Sequence, residues 1–178
     1  MTVRLETDTV GMLLTDVSRL LRSAFDRRIN AANLGVTPGE ARALIQVAVN
    51  QRIKQADIAI RMGIEPMTLS TYLDRLEALG FVERIPDPSD RRAKNVVATP
   101  AADGVLLDIR TQVRALMDEV TAGHGTAELE ILRQSLKMMR DNLHDLDRNP
   151  AQAVAQELAQ DREPAEAGLS SSADRTRS

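Results

Sequence analysis

The sequence predicts a mainly α-helical chain with one small β-hairpin, and three observations predict it. Residues 53–99 read in order as a helix, a tight turn, a second helix and a charged hairpin. Upstream, Val10, Leu13, Leu14, Val17, Leu20, Leu21 and Ala24 recur at helical spacing, with Ile29 extending the same side. Downstream, Leu129, Leu132, Leu136, Met139, Leu143 and Leu146 fall at steps of three, four, three, four and three. The central order is the plan of a winged helix-turn-helix, here set between long N-terminal and C-terminal helices.

Taken along the chain, the first helix is expected over residues 9–31 with one stripe buried, broken by Asn33-Leu34-Gly35. Thr37-Pro38-Gly39-Glu40 combines capping-box spacing with proline at the first helical position, which starts a second helix running to Asn50. A third spans 54–62, where Ala56, Ile58, Ala59 and Met62 are small or apolar and Gly63 supplies the stop. Glu65-Pro66 opens the fourth, whose buried positions are Leu69, Leu73, Leu76 and Leu79 and which ends at Gly80. Residues 81–85 and 95–98 are short extended runs flanking a loop rich in Pro, Asp and Ser. Thr99-Pro100 caps a fifth helix carried by Leu106, Ile109, Val113, Leu116 and Val120 to the break at Gly123-His124-Gly125. The last helix starts at Thr126. Its apolar seam covers less than three heptads, which fits packing in a helical dimer interface better than a long rod. From Asn149 onward Ala, Gln, Glu, Ser and Arg dominate, so residues 149–178 are expected to be a disordered tail with a transient helix over 151–160.

Composition narrows the function. At 178 residues the chain supports one ordinary domain with a tail. Its three aromatics, Phe25, Tyr72 and Phe81, are too few for single-strand binding by base stacking. With no cysteine there is no disulfide, thiolate metal site or thiol-based redox sensor. His124 and His144 lie on separate segments, so no metal site and no cofactor is expected. No apolar run reaches the roughly 20 residues that span a bilayer, and Met1-Thr2-Val3-Arg4-Leu5-Glu6 lacks a leader's apolar stretch. A cytoplasmic location and no membrane partner are the expectation. Phosphate loops, dinucleotide turns and nucleophile elbows are absent from the sequence, so an enzyme is not expected. The net charge of −3 is no nucleic-acid footprint, and residues 54–94 hold seven Lys and Arg against seven Asp and Glu. Any case for nucleic acid rests on where the charges sit.

Subtracting the buried leucines of the fourth helix leaves Met67, Thr68, Ser70, Thr71, Asp74 and Arg75 on its other faces. Hydroxyls of Thr68, Ser70 and Thr71 can donate or accept in a major groove, Met67 and the threonine methyls can touch thymine methyls, and Arg75 can reach phosphate or guanine. In Asp87-Pro88-Ser89-Asp90-Arg91-Arg92-Ala93-Lys94, one of Arg91 and Arg92 can enter a minor groove while the other, with Lys94, meets phosphate and Asp90 orients Arg92. Lys54 and Gln55 before the third helix, and Thr37 before the second, can approach phosphates through helix N-terminal amides. The plain alternatives are ordinary capping, a solvated charged turn and surface histidines. Tyr72 lies between core and reading face.

These residues resemble the MarR family of winged-helix transcriptional regulators. Leu73-Asp74-Arg75-Leu76-Glu77-Ala78-Leu79-Gly80-Phe81-Val82-Glu83-Arg84 looks like the family's recognition-helix end and first wing strand, and 87–94 looks like its wing signature. The resemblance covers residues 8–146 and implies a MarR-like domain over 1–148, with the winged helix-turn-helix at 37–99 and dimerisation helices at 8–32 and 100–147. It implies a homodimer on an inverted-repeat duplex DNA operator, contacts between protomers through Val10, Leu13, Leu14, Val17 and the 129–146 seam, and a small-molecule effector. The expected activity is sequence-specific, ligand-responsive repression. The rival expectations are a winged-helix protein adaptor, suggested by the neutral charge balance over 54–94, and a small helical enzyme.

Overall fold

The computed structural model describes residues 8–88 and 94–148. The chain divides into two units, 1–122 and 123–178. In the first, α1 (Val10–Ala32), α2 (Pro38–Asn50), α3 (Gln55–Met62), α4 (Pro66–Ala78) and α5 (Asp103–Val120) accompany the strands β1 (Ile53–Lys54), β2 (Val82–Pro86) and β3 (Lys94–Ala98). The second unit contributes α6 (Thr126–Arg148).

Local signals explain the boundaries. Thr9 caps α1 by accepting the Met12 N–H at 3.4 Å. Thr37 and Glu40 close the capping box: the Thr37 hydroxyl accepts the Glu40 N–H at 3.3 Å, and the Thr37 N–H donates to the Glu40 carboxylate at 2.7 Å. Gly63 ends α3 in the left-handed region at φ 61°, donating its N–H to carbonyls of the last turn. Pro66 at the first position of α4 then fixes a helical φ where an N–H would have no partner.

The core of the first unit is aliphatic. Ile29, Leu44, Val47, Ile58, Leu69, Leu73, Leu76, Val96 and Ile109 are fully buried, so α2, α3, α4, α5 and the sheet share one apolar interior. α2 and α4 approach closely at Gly39, where an added Cβ would lie 2.5 Å from the Tyr72 ring. Tyr72, undecided from sequence, therefore packs its ring on the start of α2.

Three departures from expectation have physical causes. The sheet has three antiparallel strands in the order β1-β3-β2, not a bare hairpin, because Ile53 and Lys54 pair with Val96 and Asn95. The β2 to β3 register runs from Val82 opposite Ala98 to Pro86 opposite Lys94. The expected buried stripe of α1 is not buried within the chain: Ile29 is the fully buried residue of Val10–Ala32, while Val10, Leu13, Val17 and Leu20 are exposed. Thr99-Pro100 opens a 3-10 turn, Pro100–Ala102, before α5, which buries Val105, Ile109 and Leu116 and leaves Val120 exposed. The tail at 149–178 and its expected helix lie outside the described residues.

α6 is a 23-residue helix with Ile131, Leu132, Leu136, Met138, Met139, Leu143 and Leu146 exposed and Leu129 half-buried. Glu130 receives hydrogen bonds from Arg133 and Gln134 on its own helix.

Candidate nucleic-acid interface

The outward face of α4 is set by what its inward face must bury. Because Leu69, Leu73 and Leu76 point into the core, Met67, Thr68, Thr71 and Arg75 fall together within about a third of the helix circumference. All four are exposed, Met67 by 79%. The Thr71 hydroxyl donates to the Met67 carbonyl at 3.2 Å, one turn back along the helix. Arg75 has no ion pair among the described residues.

Asp74 and Ser70 border this face on one side, and Arg84 engages both. Val82 of β2 is buried, and side chains two apart on a strand share a face, so Arg84 is directed toward α4. Its side chain is 10% exposed, and its guanidinium forks between the Asp74 carboxylate at 2.7 Å and the Glu77 carboxylate at 2.6 Å. It also donates to the Ser70 carbonyl at 3.3 Å, while the Arg84 backbone N–H donates to Glu77 at 3.2 Å. A planar guanidinium suits such multiple recognition because its N–H groups diverge in a fixed fork. α4 and β2 are thus joined by charge-assisted hydrogen bonds, and the Asp74 carboxylate is paired.

A second anchor holds the base of the wing. Asp87 is buried; Asn95 Nδ2 donates to it at 3.0 Å, and Lys54 Nζ lies 3.9 Å away. The pairing of Lys54 with Asn95 across β1 and β3 brings both donors to one carboxylate. At the other end, Thr99 returns to the end of α4 through a hydroxyl bond to the Gly80 carbonyl and an N–H bond to Phe81 at 3.0 Å. Between helix and hairpin lies an open cleft of about 520 Å³, lined by Lys54, Gln55, Ala56, Ser70, Asp74, Arg84 and Lys94. Lys54 and Lys94 put cationic groups along it.

The structure therefore brings Lys54, Gln55, Ser70 and Lys94 to one cleft and Met67, Thr68, Thr71 and Arg75 to one helix face. Thr37 is exposed, with its hydroxyl and N–H both engaged in the cap of α2. Asp90, Arg91 and Arg92 lie outside the described residues. Arg84, Glu77 and Asn95 are the structural residues that sequence reasoning did not single out. The strand parity of Val82 and Arg84, set against the i, i+3 carboxylates Asp74 and Glu77, was the signal available. No group of three or more His, Cys, Asp or Glu among the described residues is placed to hold a metal, and no described helix is long and apolar enough to cross a membrane.

Helix, turn, exposed second helix and braced hairpin define a winged helix-turn-helix protein. A model of the MarR family matches residues 36–94. The solved transcriptional regulator PA3341 is 32% identical, with a TM-score of 0.64 over 77% of this chain and 99% of its own. A MarR-family transcriptional regulator from Silicibacter pomeroyi is 27% identical, with a TM-score of 0.64 over 73% of this chain and 86% of its own. A mutant MarR from E. coli, solved in complex with operator DNA, shares the fold at 22% identity and a TM-score of 0.58, over 73% of this chain and 92% of its own. The chain belongs to the MarR family, whose members are transcriptional regulators and not enzymes.

Proposed function

We infer that this regulator acts as a homodimer on an inverted-repeat operator in duplex DNA, as a repressor whose affinity is lowered by a small-molecule effector. The observation that carries the reading is the exposed face Met67, Thr68, Thr71 and Arg75 on a helix braced to its wing strand. A recognition helix in the major groove reads base edges with its N-terminal residues, and the related E. coli protein was solved on operator DNA. Lys54, Gln55 and Lys94 are then available to phosphates on either side, with Thr37 and the Asp90-Arg91-Arg92 segment as further candidate contacts. Exposed apolar side chains on α1, and separately on α6, supply surface for dimerisation. Two copies related by a twofold axis match a pseudo-palindromic site.

Effector control is favoured over oxidation because the chain has no thiol. Within the first unit an apolar cleft of about 360 Å³ between α2 and α5, lined by Ile45, Ala48, Val49, Leu106, Ile109, Arg110 and Val113, is of a size to take a small ligand. A ligand that prefers a dimer with mismatched half-site spacing must weaken DNA binding by the same free energy.

The test is footprinting on the protein's own promoter region, with affinity for that site and for random duplex measured across a salt series. The operator reading expects a protected inverted repeat and a steep loss of affinity with salt. The neutral charge balance of 54–94 favours the adaptor as the second reading; weak, salt-insensitive and sequence-blind binding would select it.

A further inference from the structure

The inference that follows rests on the operator reading and concerns what each half-site must offer. Arg84 pairs the Asp74 carboxylate at the edge of the reading face, and the half-buried Ser70 lines the cleft. Four side chains remain, and their chemistry is lopsided. Arg75 is the charged group there without an ion pair among the described residues, and neither asparagine nor glutamine, the residues suited to bidentate adenine contacts, lies on the face. Thr71 gives its hydroxyl hydrogen to the Met67 carbonyl, so its methyl and an oxygen lone pair are what a groove meets. Met67 adds a flexible thioether, 79% exposed, one turn away on the same side. A lone exposed methionine is ordinary. A methionine and a threonine methyl stacked at i, i+4 form a continuous apolar strip at the first turns of a recognition helix.

We propose that Met67 and Thr71 are specificity determinants that recognise the C5-methyl groups of thymines in each operator half-site. Thymine is the base that presents a methyl in the major groove, and apolar contact is the means of reading it. Four residues of helix rise about 6 Å, and base pairs stack at about 3.4 Å. The two thymines therefore lie within about two base pairs of each other.

The experiment uses the full chain and the operator defined by footprinting. Each thymine of a half-site is replaced in turn by deoxyuridine, which keeps the Watson–Crick face and removes only the methyl, and affinities are measured for wild type, Met67→Ala and Thr71→Ser. Wild type is expected to lose about fourfold in affinity per critical methyl, the effect of exposing one methyl-sized group, at one or two neighbouring positions and nowhere outside the half-sites. Met67→Ala and Thr71→Ser, each at an exposed position, are expected to bind more weakly and each to stop distinguishing deoxyuridine from thymine at one of those positions. If wild type binds the operator far above random DNA yet is indifferent to every deoxyuridine, the methyl readout is wrong and the regulator reading stands. If no duplex is preferred over random DNA, the operator reading itself fails and takes this inference with it.

Discussion

Arg84 shows how one side chain can set the geometry of a surface it does not join. Its side chain is nearly enclosed, while the Asp74 and Glu77 side chains it holds are 65% and 42% exposed, so solvent screens part of the attraction. Arg84→Met removes the donors to two carboxylates and to the Ser70 carbonyl, and a stability loss of ~1–3 kcal/mol is expected from hydrogen bonds to charged groups. Arg84→Lys should recover only part of it, since an ammonium has no fork to span both carboxylates. Denaturant melts check this, and a double-mutant cycle with Asp74→Asn should give a coupling of at least ~0.5 kcal/mol. Independent effects at the two positions would contradict the brace. The motif that includes Arg84 was visible in the sequence. Its partners were not, because a hydrogen-bonded fork depends on how β2 lies against α4, and spacing along the chain does not state that.

At the scale of elements, the helices were legible wherever apolar spacing and end signals agreed. α2 is the clearest case, with Thr37, Pro38 and Glu40 each in the expected role. Thr37→Ala should cost about 1 kcal/mol of stability through loss of the cap, while Thr37→Ser should stay near wild type; equal melting temperatures for wild type and Thr37→Ala would argue against the cap. β1 escaped notice because two residues cannot show alternation, and Ile53 and Lys54 become a strand only when β3 is beside them. The stripe on α1 was correctly read as apolar, and on the single chain it is exposed, since periodicity reports that a face avoids water without saying what covers it. α6 carries the clearest titration signal: Glu130 is lowered from 4.5 to about 2, first by the Arg133 hydrogen bond and then by that of Gln134. A lowered carboxylate stabilises above the usual carboxylate range, and its contribution is lost as pH falls through the folded value. NMR titration of the Glu130 carboxyl should therefore find a midpoint near 2, and a midpoint near 4.5 would remove the interaction.

For the molecule as a whole, the exposed apolar residues of α1 and α6 make the self-association prediction sharp. The full chain should sediment as a dimer at micromolar concentration, and charged substitutions at Leu136 and Leu143 should yield monomers that no longer bind an inverted repeat tightly. Removing residues 149–178, which carry almost no large apolar side chains, should leave both dimerisation and operator affinity within about twofold; a monomeric truncated protein would refute this. The candidate site was legible as a set of residue types, including the exposed positions of α4. Its division into a reading face and a braced edge was not, because that division is made by contacts between residues fourteen positions apart, Ser70 and Arg84. The Arg84 fork also bears on how quickly the protein can engage its target. An arginine loses about 1.5–2 kcal/mol of rotamer entropy when fixed, and here that loss falls during folding, before any duplex arrives. On the operator reading, helix and strand would meet the groove as one preformed body, so association would require little local rearrangement. Loosening the fork should therefore slow productive encounter as well as shorten the life of the complex.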